Sequence, residues 1–172
     1  MWAADEGIGG ERIETQIKVE EVWETLKQVK DPELPTVSIV EMGMVKDVRC
    51  HGQAVEVEII PTFVGCPALE LIKKDVVQHL KALFPEEQIK VRFVLDIPWT
   101  SDRISEEGRE NLKKMGIAPP PREYQAGQKW IVKCPYCHSP KTVMENLFGP
   151  TACRSILYCT KCKNPFEAIK PV

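Results

Sequence analysis

Apolar residues recur three and four apart between Gln16 and Lys30, at Val19, Val22, Trp23, Leu26 and Val29. That spacing marks one face of a helix, so the stretch predicts an amphipathic helix. Asp31-Pro32 should end it, because proline disfavours helical backbone in the residue before it. The period then changes. Val55, Val57 and Ile59 alternate with Glu56, Glu58 and Ile60, as in a strand with one buried face. A weaker strand, Val45 to Cys50, would pair with it through a His51-Gly52-Gln53 turn. A second helix is expected from about Ala68 to Phe84, with Leu69, Ile72, Val76, Leu80 and Leu83 on its buried stripe. Ile89, Val91, Phe93 and Leu95 alternate again as a third strand. After Trp99–Ile104 comes a short polar helix, Glu106 to Met115, which Gly116 is suited to cap. This order predicts an α/β (α+β) unit: a small mixed sheet with helices on one side.

Pro119-Pro120-Pro121 then opens a stiff linker to about Gln128. The expected organisation is a disordered tail over 1–15, an α/β domain over 16–118, the linker over 119–128 and a small unit over 129–172. Charge separates the same parts. Residues 129–172 carry seven basic and two acidic side chains, a formal +5, against −7 for the rest. Such opposition suits docking between the two parts, or an acidic partner for the small one. The start, MWAADEGIGGERIE, lacks the basic and apolar regions of a secretion signal. No run approaches the ~18 apolar residues of a membrane span. A cytoplasmic protein is expected.

A reducing compartment changes how seven cysteines are read, since metal binding or reactivity is then favoured over disulfides. Cys134-Pro135-Tyr136-Cys137 and Cys159-Thr160-Lys161-Cys162 are two C-x-x-C pairs separated by 21 residues. Each tight turn aims two sulfurs at one ion, and two turns complete a tetrahedron. The pattern predicts a zinc ribbon held by Cys134, Cys137, Cys159 and Cys162, though four thiolates also suit iron. About forty residues cannot bury a sufficient core alone, so the metal supplies folding free energy. A closed four-thiolate site leaves no open position, and the ribbon is expected to be structural. Cys153 is left over, either as a further thiol at the metal or as a small buried residue. His138 reads as a turn residue.

Thr62-Phe63-Val64-Gly65-Cys66-Pro67 lies between a strand and a helix. Pro67 at the first helical position would put Cys66 at or beside the N-cap. Free amides and the helix dipole would then stabilise its thiolate for nucleophilic attack or soft-metal ligation. A buried structural cysteine is the alternative. Asp31-Pro32-Glu33 places two carboxylates on one turn, which as a rule is only a solvated helix stop. No phosphate loop, Ser-His-Asp set or carboxylate–His metal box occurs, and none of the three histidines suggests a general base.

The run D-P-E-L-P-T-V-S-I-V-E-M-G-M-V-K-D-V (31–48), with T-F-V-G-C-P (62–67), resembles the small α/β domain of SufT-like iron–sulfur assembly proteins. D-I-P-W-T-S-D-R-I-S-E-E-G-R-E-N-L-K-K-M-G-I-A-P-P (96–120), C-P-Y-C-H-S (134–139) and F-G-P-T-A-C-R-S-I-L-Y-C-T-K-C-K-N-P-F-E-A-I-K (148–170) narrow the resemblance. Together they resemble the PaaD family of phenylacetyl-CoA epoxidase components over roughly 16–170. The resemblance implies an accessory, non-catalytic protein in aerobic phenylacetate degradation. It would assist iron–sulfur insertion into the reductase or the oxygenase, its partners, and handle a transient iron or iron–sulfur cluster. It also implies that Cys66 is the reactive cysteine, that Asp31 and Glu33 form the acidic turn, and that the four ribbon cysteines bind zinc. Thr62, in the Cys66 loop, would be a hydrogen-bond partner to a thiolate or sulfide. The T-A-C-R run makes Cys153 part of the family pattern. His138 departs from it, standing where the knuckle usually has glycine.

A single thiolate cannot satisfy a cluster, so a carrier would need a homodimer or a ligand from its client. One alternative is a scaffold bridging oxygenase and reductase. Another is a nucleic-acid-binding zinc ribbon, which the basic charge permits but the lack of stacking aromatics and of an arginine cluster disfavours.

Overall fold

The computed structural model describes residues 18–172. The expected tail and the start of the first helix at Gln16 lie outside the described residues. Helix α1 occupies 18–26 and buries Val22 and Leu26. It ends well before Pro32. The last turn tightens, with the Val29 N–H donating to Leu26 O at 3.1 Å. The chain then forms strand β1 (Lys30–Asp31), which pairs antiparallel with β2 (Leu34–Ser38). Pairing wins over a longer helix because it buries Val29 and Val37 completely.

Strands β3 (Val45–His51) and β4 (Ala54–Ile59) form the expected hairpin, and β5 (Ile89–Phe93) runs parallel to β4 on its far side. Helix α2 (Leu69–Leu80) makes the crossover. It buries Ile72, Val76 and Leu80, while Leu83 is exposed. Phe84 closes the stripe instead, because the chain turns after Leu80 with Phe84 N–H donating to Leu80 O at 3.0 Å. Leu95 is likewise exposed. Strand β5 ends at Phe93, and the Val94 N–H donates to Ile59 O at 2.8 Å, so Val94 takes the inward place.

The turn from Ser38 to Met44 fastens later segments to this sheet. Ser38 N–H donates to Glu41 Oε2 at 2.6 Å, and Glu41 N–H to Ser38 Oγ at 3.1 Å. Trp99 Nε1 then donates to Met42 O at 2.8 Å, Arg103 Nε to Gly43 O at 2.7 Å, and Asn111 Nδ2 to Glu41 Oε1 at 2.6 Å. Asn111 belongs to α3 (Glu106–Lys114), which Ser105 caps by accepting from the Gly108 N–H at 3.0 Å.

The second core is smaller. Strands β7 (Thr142–Asn146), β8 (Arg154–Cys159) and β9 (Pro165–Ile169) form an antiparallel ribbon. A short strand β6 (Ile117–Ala118) joins it, parallel to β9. The two cores meet here. Ile117 and Ile169 bury in the larger one, whereas Ala118, Leu157, Phe166 and Ala168 bury in the smaller. Segment 119–128 has no helix or strand, and Pro120 O accepts from Arg109 Nη1 of α3 at 2.5 Å. No helix among the described residues is long and apolar enough to cross a membrane.

Gly108 is where α3 touches the turn most closely: a Cβ there would lie 2.7 Å from Glu41 O and 3.1 Å from Glu41 C. Helix propensity alone would make Gly108→Ala stabilising by about 1 kcal/mol. Against immovable backbone it is expected to destabilise by about 1–3 kcal/mol instead, measured as a lower denaturant midpoint.

Candidate metal centre and candidate thiol site

The two ribbon knuckles have the same shape. In the first, Cys134 N–H donates to Ser139 O at 3.0 Å and His138 N–H to Cys134 O at 2.9 Å. In the second, Cys159 N–H donates to Asn164 O at 3.0 Å and Lys163 N–H to Cys159 O at 2.9 Å. The residue after each pair is left-handed, with φ of 56° at His138 and 62° at Lys163. This is the conformation glycine adopts at least cost, which accounts for His138 as a departure.

These turns gather the sulfurs of Cys134, Cys137, Cys159 and Cys162 within 4.8 Å of one another. The Cys134–Cys162 and Cys137–Cys159 separations are both 3.6 Å. Zinc–sulfur bonds of about 2.3 Å in a tetrahedron require edges of about 3.8 Å, so the set fits zinc. Burial pushes the Cys134 thiol up to about 11, whereas the Asn164 side chain holds Cys162 down to about 6. Cys153 is not in this group.

The second candidate site lies on the larger core. Asp31 is buried and turns inward: its Oδ1 accepts from the Glu33 N–H at 2.8 Å. It is therefore not the solvated helix stop that the tripeptide suggests. Burial pushes its carboxyl up, against the opposing pull of the Glu33 amide, the Arg154 guanidinium and the Leu34 amide. Helix α2 begins at Leu69 with Ala68 as N-cap, so Cys66 precedes the cap by two residues. Cys66 N–H donates to Phe63 O at 3.1 Å, and Leu69 N–H donates to Cys66 O at 3.3 Å.

The expected thiolate stabilisation does not prevail. Burial raises the Cys66 thiol, the Ala68 and Leu69 amides pull it down, and the Glu33 and Asp31 carboxylates raise it again. A thiol whose ionisation is opposed by burial and by two carboxylate charges is a poor free nucleophile and a better ligand for a cation, whose charge offsets theirs. Gly65 is exposed and has no left-handed φ; a Cβ there would press to 3.1 Å on the Phe63 ring. Thr62 is half-buried and lines an apolar groove with Phe63, Val64, Leu95, Ile97 and Val172.

Cys153 sits in the turn before β8, with its sulfur 3.2 Å from Thr151 Oγ1. Burial raises this thiol too, Thr151 lowers it, and Glu33 and Asp31 raise it further. The acidic turn therefore bears on thiols from both cores. Local sequence carries no signal for that pairing beyond the cysteine's presence.

A model of an iron–sulfur cluster assembly protein family matches residues 19–93, and a PaaD zinc beta ribbon domain matches 118–170. An Escherichia coli (strain K12) protein named for 1,2-phenylacetyl-CoA epoxidase, as one of its subunits, is 34% identical over 161 residues, 89% of this chain and 93% of its own. The chain belongs to the PaaD family. It is also similar to the Fe-S protein maturation auxiliary factor YitW of Bacillus subtilis (strain 168), at 34% identity over 50% of this chain and 84% of that protein. The crystal structure of a domain of unknown function, DUF59, from Bacillus anthracis matches with a TM-score of 0.54 and 30% identity, over 59% of this chain and 96% of that one. The PaaD chain thus joins an iron–sulfur assembly domain to a zinc ribbon.

Two outcomes are expected. His138→Gly should stabilise the zinc-loaded ribbon by about 1 kcal/mol through relief of left-handed strain, read from its denaturant midpoint. Glu33→Gln removes a charge that opposes the Cys66 thiolate. Alkylation of Cys66 at pH 8 should then quicken roughly threefold, the size of a screened carboxylate's effect near a surface.

Proposed function

We propose that this chain is a non-catalytic maturation protein of the phenylacetyl-CoA epoxidase system. Cys66 receives iron or an iron–sulfur unit as cargo and passes it to the reductase or oxygenase. The observation that carries the reading is the position of Cys66: half-buried in the loop just ahead of α2, its thiol raised by burial and by the Glu33 and Asp31 charges, within the segment matched by the iron–sulfur assembly family. The names of the relatives, one a component of the epoxidase and one an iron–sulfur maturation factor, support the same reading.

Each residue has a separate part. Cys134, Cys137, Cys159 and Cys162 hold zinc, which supplies folding free energy to the small core and no chemistry to the cargo. Cys66 gives up its proton as its sulfur binds a cation. Asp31 and Glu33 place negative charge beside that cation, and Thr62 offers a hydroxyl from the same loop. One thiol cannot hold a cluster alone, so ligands from the client or another thiol must complete the set.

A scaffold role is the second reading. It is favoured by the exposed apolar side chains beside the thiol, Phe63, Val64, Leu95 and Ile97. One experiment separates the two. Oxygenase and reductase are purified from cells making the chain, its Cys66→Ser variant or neither, and their iron and acid-labile sulfide are measured. The carrier reading expects Cys66→Ser to lower client iron and sulfide as far as absence of the chain does. Full iron and sulfide with Cys66→Ser would rule it out, and full iron and sulfide in all three cases would favour the scaffold.

A further inference from the structure

The ribbon carries more positive charge than it can pair. Glu167, one of its two acidic side chains, is taken by Arg154 at 2.7 Å. Lys129, Lys133, Lys141, Lys161 and Lys163 are all exposed, and none of them makes an ion pair among the described residues. The knuckles hold four of them close to the metal centre. Lys133 directly precedes Cys134, and Lys161 and Lys163 flank Cys162. Lys141 O accepts from both the N–H and the Oγ1 of Thr160 in the second knuckle, each at 2.9 Å. The sulfurs of the two knuckles lie within 4.8 Å of one another, so these lysines belong to one end of the molecule.

That end is hollow on one side. Between α3 and the first knuckle, Pro119, Pro121, Ile131, Val132 and Pro135 line a groove of about 290 Å³. Its titratable side chains outside the metal set are Lys113, Lys133 and His138, and none of its lining is acidic. Lys113 is already held by Glu110 at 2.6 Å, which leaves Lys133 as the unpaired cation on the groove. Ile131 stands 61% exposed in the wall, although Val132 beside it is buried in the smaller core. The walls are preset. Prolines hold their own backbone angles, Arg109 Nη1 donates to Pro120 O at 2.5 Å, and Cys134 N–H donates to Ser139 O at 3.0 Å. A groove already in shape costs little ordering when it is filled.

We infer that this groove docks an acidic segment of a partner protein. An apolar side chain of that segment enters between the prolines and Ile131, and carboxylates beside it meet Lys133 and the lysines of the knuckles. Charge complementarity selects the occupant. A surface of one sign, short of carboxylates of its own, draws and orients a face of the opposite sign. The apolar walls call for a protein rather than a nucleic acid: the groove has no aromatic side chain on which a base would stack, and no arginine. The inference rests on the reading that the chain serves the epoxidase system, which names its reductase and oxygenase as the proteins to test. It does not depend on what Cys66 carries.

Purified reductase and purified oxygenase are each presented to the zinc-loaded full chain at several salt concentrations, and the association and dissociation rates are measured. One of them is expected to bind, more slowly as salt rises. Lys133→Glu should slow association about tenfold, Lys133→Arg should restore it, and Ile131→Ser should speed dissociation about tenfold. Zinc content is measured in every variant. Because a change beside Cys134 can cost the metal, the lysines of the wild-type chain are also acylated with and without the bound protein, and protection of Lys133 is expected. Binding indifferent to Lys133→Glu and Ile131→Ser, or Lys133 left unprotected in the complex, would overturn the docking groove. So would a single-stranded RNA, or a second copy of the chain, that binds more tightly than either protein and is lost with the same substitutions. Cys66→Ser should bind as wild type does, so failure of the carrier reading in the client-iron experiment leaves the groove standing. Neither protein binding, while client iron still depends on Cys66, would overturn the groove alone.

Discussion

The arrangement of this molecule depends on one burial: Ile169, the last residue of the ribbon's final strand, packs into the core of the other domain. A small ribbon with seven residues in its own core, two of them cysteines of the metal group, has little apolar area to spare. Placing Ile169 and Ile117 across the seam lends it area from its neighbour. It also fixes where the ribbon's turns point. Tyr136 of the first knuckle comes against Gly116 at the end of α3, where a Cβ would meet its hydroxyl at 2.5 Å. The charge of Arg154 lowers the Asp31 carboxyl, and the charges of Glu33 and Asp31 raise the Cys153 thiol.

What can be read in the sequence follows from how local each signal is. The knuckles are legible because two residues between cysteines determine a turn whatever lies around it, and both turns have the same hydrogen bonds. The hairpin, α2 and α3 are legible for the same reason. Strand β2 is not. Leu34–Ser38 contains Pro35 and buries its residues without alternation, so only its pairing with β1 marks it as a strand. Gly108 reads as an ordinary helical residue until α3 meets Glu41 O. The relation of Cys153 to Asp31 and Glu33 depends on the packing of two cores and has no local trace.

The thiol loop shows two effects in opposition. Position ahead of a helix argues for a stabilised thiolate, and the Ala68 and Leu69 amides do act in that direction. Burial and the carboxylates act against them and prevail. The two cysteine sites accordingly differ in character. The ribbon's sulfurs stand at the edges of a tetrahedron that fits zinc, whereas Cys66 stands in a field that favours protons or metal over a bare anion.

The contact between Tyr136 and Gly116 has a consequence for the larger core. Tyr136 lies between the two cysteines of the first knuckle, so its place over the end of α3 depends on that knuckle keeping its shape. A chain whose ribbon lacks its metal would loosen this contact and uncover the end of α3. The structural ion then bears on both domains, because the knuckle it holds together also covers the end of a helix in the larger core.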